Sequence, residues 1–164
     1  MNDRFSEAVG RKVVSRETAE ELGTVSHLVV DAGTKRVTGL VVGKRRRARL
    51  VDWARLSGMG PDAAIVEADD VLHEPADDRE RAAAGGKLEL LGKRVLEETG
   101  NELGSIDDIV FDSDSGELLQ IVLGESERPA SLLLGSGSYA VVLSADRELP
   151  SSSASATNSA TDAD

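Results

Sequence analysis

The sequence predicts a mostly β protein built from two small antiparallel β-barrels in tandem, with short helical turns and a disordered C-terminal tail. Three observations carry this expectation. One stretch occurs twice: residues 21–43 read ELGTVSHLVVDAGTKRVTGLVVG and residues 102–124 read ELGSIDDIVFDSDSGELLQIVLG, aligned without a gap at an offset of 81. That period is too long for a solenoid unit and fits a duplicated compact module. Within each copy, two apolar runs of strand length flank a polar turn, the pattern of a β-hairpin. Finally, each copy has a strand-like opening and a strand-like close around that hairpin.

The elements follow in chain order. Residues 1–8 are polar and are expected to be frayed. Val9–Ser15 reads as the first strand and matches Leu91–Leu96; both contain glycine followed by two basic residues, Gly10-Arg11-Lys12 and Gly92-Lys93-Arg94. The acidic stretches 16–22 and 97–103 have room for a turn or one helical turn. Val25–Asp31 and Ile106–Asp112 are the main strands. Residues 32–36 and 113–117 are turns rich in Gly, Ser, Thr and Asp. Val37–Val42 and Leu118–Leu123 return. The return strands carry apolar residues on both faces, which predicts cover from two sides where the modules touch. Residues 63–67 close the first copy and 139–143 the second. Expected core positions are Val29, Leu40, Val42 and Ile65, with Val110, Ile121, Leu123 and Val141 in the second copy.

This divides the chain into a first module over 5–74, a linker over 75–87, a second module over 88–149 and a tail over 150–164. Asp77–Ala84 could form a short helix that Gly85 and Gly86 would end. The Ser/Ala/Thr-rich tail lacks the apolar surface needed to fold.

Charge is unevenly placed. Residues 1–75 carry 12 basic and 12 acidic side chains, whereas residues 76–164 carry 7 and 18. A general nucleic-acid binder needs a basic face and stacking aromatics; this chain has only Phe5, Trp53, Phe111 and Tyr139 as aromatics. With no cysteine, disulfides and thiolate sites are excluded. No signal peptide or membrane span is readable, and a cytoplasmic location is expected.

The repeated pattern is a G-[KR]-[KR]-V opening, then E-L-G-x-[VI]-x-x-[LI]-V-[VF]-D, a polar turn, and an apolar return strand ending in Gly43 or Gly124. It resembles the PRC-barrel family, which includes the cytoplasmic domain of the photosynthetic reaction-centre H subunit and the C-terminal domain of a ribosome maturation factor. The resemblance covers most of residues 9–72 and 91–149. It implies small open or closed antiparallel β-barrels used for protein–protein contact, with no shared catalytic site to carry over. The membrane helix of the one member and the additional domain of the other have no counterpart here, so neither specific role transfers.

Candidate chemistry is sparse. Asp107, Asp108, Asp112, Asp114 and Glu117 could offer oxygen ligands to a hard cation, but glycine falls at the fifth position from Asp112 and Leu123 at the twelfth, which breaks a calcium-loop register. A solvated Asx-type turn is the plainer reading. His27 and His73 have no triad-like neighbours in the sequence. Residues 135–138 (GSGS) are not a phosphate loop, since no helix follows, and read as a hairpin turn. The sharpest feature is Lys44, Arg45, Arg46, Arg47 and Arg49, five basic residues within six. Such a run either contacts an acidic partner, phosphates or anionic lipid, or simply protects a hairpin tip from edge pairing. Trp53 reads as packing. The expected protein is a non-enzymatic interaction or adaptor module without cofactor or metal, whose partner is an unidentified protein and whose oligomeric state the sequence leaves open. The alternative is an RNA-processing or ribosome-associated accessory factor.

Overall fold

The computed structural model describes residues 1–145, and the expected disordered tail over 150–164 lies outside them. The first copy comprises β2 (Lys12–Ser15), β3 (Glu21–Asp31), β4 (Arg36–Val42), β5 (Arg49–Asp52), β6 (Leu56–Met59) and β7 (Ala63–Val66). Ahead of them lie β1 (Asn2–Arg4) and the single-turn helix α1 (Phe5–Ala8). After the connecting helix α2 (Asp78–Ala84), the second copy comprises β8 (Arg94–Glu97), β9 (Glu102–Ser105), β10 (Asp108–Asp112), β11 (Leu118–Leu123), β12 (Ser126–Pro129), β13 (Leu133–Ser136) and β14 (Val141–Leu143).

The first copy is one six-stranded sheet in the order β5-β4-β3-β2-β7-β6. The second repeats this order, but its main strand is broken into β9 and β10, so that two four-stranded sheets result. The end strands β5 and β6 are consecutive through a three-residue 3-10 turn at Trp53–Arg55. A sheet whose two edges are joined by so short a corner must curl. Among the described residues no ladder joins β5 to β6 or β12 to β13, so the curled sheets are not closed by hydrogen bonds.

The wholly antiparallel expectation is corrected. β2 pairs with β7 in parallel, and β8 pairs with β14 in parallel. A parallel pair needs a long crossover rather than a tight turn, and in each copy the hairpin and its corner supply it. Hairpin formation is local and legible in sequence; this long-range closure is not.

One apolar core runs through both copies, from Val13, Val25, Leu28 and Leu40 to Ile109, Phe111, Ile121 and Leu143. Leu40, Val42, Ile121, Leu123 and Val141 are buried as expected. Val29, Ile65 and Val110 are not; they are half-buried, and their neighbours Leu28, Val30, Ala64, Val66, Ile109 and Phe111 fill the core instead. β3, β7 and β10 each have apolar residues in succession, and a run without alternation leaves the inward phase undetermined. β4 is covered on two sides, as expected, but the second cover is α2: Val41, Ala48 and Leu50 pack with Ala83 in a smaller cluster. α2 itself forms because Asp77 accepts a bond from the Glu80 N–H (2.8 Å) while the Glu80 carboxylate accepts one from the Ala76 N–H (2.8 Å), a reciprocal cap of the helix start.

Residues 1–8 are not frayed. β1 adds antiparallel to β10 of the second copy, Asn2 opposite Asp112 and Arg4 opposite Val110. Phe5 is 2 % exposed and meets the Phe111 ring edge-to-face at 5.4 Å. Asp3 accepts two bonds from the buried Arg11 guanidinium, at 2.7 and 3.1 Å. Ser6 donates to Asp108 from both its N–H (3.0 Å) and its hydroxyl (2.5 Å). One buried aromatic and one ion pair outweigh the polar look of the segment.

Candidate functional site

The basic run forms the β4–β5 hairpin tip. Lys44, Arg45, Arg46, Arg47 and Arg49 are all exposed. Residues 45–47 form a 3-10 turn entered through Gly43 (φ 83°) and Arg45 (φ 58°). A positive φ on a residue with a side chain is uncommon and is held here by surrounding structure. The hold is visible: Ala48 and Leu50 are buried on α2, and the Ser26 hydroxyl donates to the carbonyls of Val41 and Gly43. The tip is thus anchored at its base while its charges face outward. Among the described residues, none of the five basic side chains has an ion pair or hydrogen bond. The tip lines a groove of about 720 Å³ in which Lys44, Arg46, Arg47 and Arg49 share the walls with Asp69 and Glu74, and Leu22, Val42 and Leu72 supply smaller apolar patches. Guanidinium groups without internal partners can hold carboxylates or phosphates through charge-assisted, bidentate hydrogen bonds.

The remaining candidates resolve into structural roles. Asp31 and Asp112, identical in the two copies, cap equivalent turns of different sequence. Asp31 accepts bonds from the Thr34 hydroxyl and N–H (2.9 and 3.2 Å), which hold its carboxyl below the usual range. The N–H groups of Asp114 and Ser115 do the same for Asp112. Asp108 holds Ser6, and Asp107 accepts from the Gly124 N–H at 2.7 Å. Among the described residues no group of His, Cys, Asp or Glu has metal-binding geometry. Residues 135–138 lie in the β13–β14 hairpin, as expected.

His27 is not on the open surface. Its side chain is about one-fifth exposed and lies against Gly86, with Nδ1 3.5 Å from the Glu89 carboxylate. His73 bridges β5 to the helix: its backbone pairs with Leu50, and its ring lies 3.7 Å from Asp52 and 3.9 Å from Glu80. Trp53 is half-buried and packs across the copies, edge-to-face with Phe111 at 6.1 Å. Three of the chain's four aromatics therefore sit together at the junction between copies.

The fourth marks a feature the sequence reading missed. Tyr139 is 69 % exposed and carries the Arg94 guanidinium 4.9 Å above its ring. The pair borders a groove of about 620 Å³ that also takes in Lys93 and Glu102. The available signal was a lone tyrosine at a turn in an aromatic-poor chain. Among the described residues, no helix is long and apolar enough to cross a membrane.

Comparison with known families agrees with the repeat. The family model for the PRC-barrel domain matches residues 2–73 and again residues 89–147. No curated protein matches the chain.

Proposed function

This chain belongs to the PRC-barrel domain family, and we propose that it is a non-enzymatic protein–protein interaction or adaptor module. In this reading the two copies are small barrel-like units that act as a scaffold, and the basic tip of the first copy is the contact. One observation carries the proposal: five exposed basic side chains have no internal partner among the described residues, and four of them, Lys44, Arg46, Arg47 and Arg49, line one groove of about 720 Å³. The partner surface is acidic, because the charges it meets are Lys44, Arg45, Arg46, Arg47 and Arg49. The absence of cysteine suits a reducing compartment, and a cytoplasmic site of action is part of the proposal.

Contacts of this kind govern association rate and salt dependence more than final affinity. Replacing Arg45, Arg46 and Arg47 together by Ser is expected to leave the thermal transition unchanged and to weaken capture of the native partner most at low salt. Equal capture at every salt concentration would reject the contact. The second reading, a ribosome-associated accessory factor, draws on the same exposed arginines, which could meet phosphates. It predicts co-sedimentation with ribosomal particles that the same triple substitution abolishes.

A further inference from the structure

Between the copies, Arg36 and Glu117 form an isolated antiparallel bridge. They are equivalent residues, related by the offset of 81. The Val37 N–H donates to the Gly116 carbonyl at 2.7 Å, and the Leu118 N–H donates to the Lys35 carbonyl at 2.9 Å. Val37 and Leu118 are equivalent, as are Lys35 and Gly116, so each bond is the image of the other. An antiparallel bridge between equivalent residues is a local twofold axis. Such an interface is isologous: one patch meets its own counterpart.

The lead-in segments obey the same exchange. β1 and α1, which precede the first copy, complete the β10 sheet of the second. The segment preceding the second copy covers the first: Arg79 donates to the Val30 carbonyl at 3.1 Å, Ala83 is buried with Val41, and Glu89 lies beside His27. His27 and Asp108 are equivalent, and each meets the lead-in of the opposite copy. Each copy therefore lacks a piece of itself that the other supplies.

We propose that the face around Arg36 and Glu117 is a docking surface for a second unit of its own type, able to hold two separate polypeptides together, with charge on the axis selecting unlike copies. Bonds flanking the Arg36–Glu117 pair make it a non-hydrogen-bonded pair with its two backbones close. The Arg36 guanidinium itself donates to the Ser115 carbonyl at 3.0 Å, so the opposite charges act by proximity across the axis and not as a direct ion pair. Pairing two first copies would set Arg36 against Arg36, and pairing two second copies would set Glu117 against Glu117. Like charges directly opposite are destabilising, so the heterotypic pairing is favoured.

The test uses the full chain with a protease recognition sequence inserted between Glu74 and Pro75, outside the capped helix. After cleavage, the two fragments are expected to co-elute at the volume of the uncut chain and to unfold in one transition whose midpoint falls on dilution. Fragments that separate under native conditions, folded or not, would overturn the proposal. Arg36→Glu in the cut protein is expected to raise the dissociation constant roughly fivefold, and Glu117→Arg in the same chain should recover the charge part of that loss but not the part due to the Arg36–Ser115 bond. A double variant no tighter than the single one would overturn the charge selection. The same variants in the uncut chain, read by melting temperature, supply a second measurement that needs no cleavage. Capture of an external partner through Lys44–Arg49 is separate from these outcomes.

Discussion

Phe5→Ala tests whether the first eight residues belong to the fold. Phe5 is 2 % exposed, touches Phe111 edge-to-face, and lies in the single core shared by the copies. Truncating a buried phenylalanine costs about 3–5 kcal/mol, from lost transfer energy and the cavity left behind. The edge-to-face contact accounts for about 1 kcal/mol of this. The cost is bounded by a second route, in which the lead-in peels away from β10 instead of leaving a cavity. That route carries Asp3 away and leaves the Arg11 guanidinium buried and unpaired, at a penalty of similar size. Both routes therefore converge on about 3 kcal/mol or more. For a chain of this length that corresponds to a fall of roughly 6–20 °C in melting temperature. Denaturant unfolding of wild type, Phe5→Ala, Phe111→Ala and the double variant would give the loss and the coupling between the rings. A loss below about 1 kcal/mol for Phe5→Ala would show that the segment is frayed and refute the swapped lead-in.

Three further outcomes follow from the same packing. Ile121→Ala should cost about 2–5 kcal/mol in denaturant unfolding, since Ile121 is 1 % exposed in the shared core. Gly116→Ala should cost roughly 1–3 kcal/mol: Gly116 has φ 81°, and a Cβ there would lie 3.0 Å from the Val37 carbonyl and 3.1 Å from the Trp53 ring, so tryptophan fluorescence should shift with the stability loss. Burial pushes the Asp3 carboxyl up, but the Arg11 fork and the Arg4 N–H hold it below the ordinary value. Its contribution is therefore present above pH ~4 and is lost as pH falls through the lowered folded value. Asp3→Asn should cost about 3 kcal/mol at pH 7 and narrow the gap between stability at neutral pH and in acid, measured by unfolding at both.

Much of the fold is written in local sequence. The hairpins β3–β4 and β10–β11 are legible because strand alternation and turn chemistry act over a few residues. The duplication is legible because equivalent side chains do equivalent work: Asp31 and Asp112 cap equivalent turns, and Lys35 and Gly116 take the same left-handed conformation. The basic tip was visible as composition, and the structure adds that it is anchored at its base and faces outward along a groove.

The tertiary structure decided what joins residues distant in the chain. Asp3 reads as an ordinary surface carboxylate until the fold sets it against Arg11, and Phe5 reads as a stray aromatic until Phe111 meets it. Val29, Ile65 and Val110 sit beside equally apolar neighbours, so only packing against the other layer fixes which of them turns inward. The parallel pairs β2–β7 and β8–β14, and the axis between Arg36 and Glu117, depend on how a whole sheet curls and what it then meets. Local propensity acts within a turn or a strand, whereas these choices are made by burial and hydrogen bonding between segments that the chain brings together only when it folds.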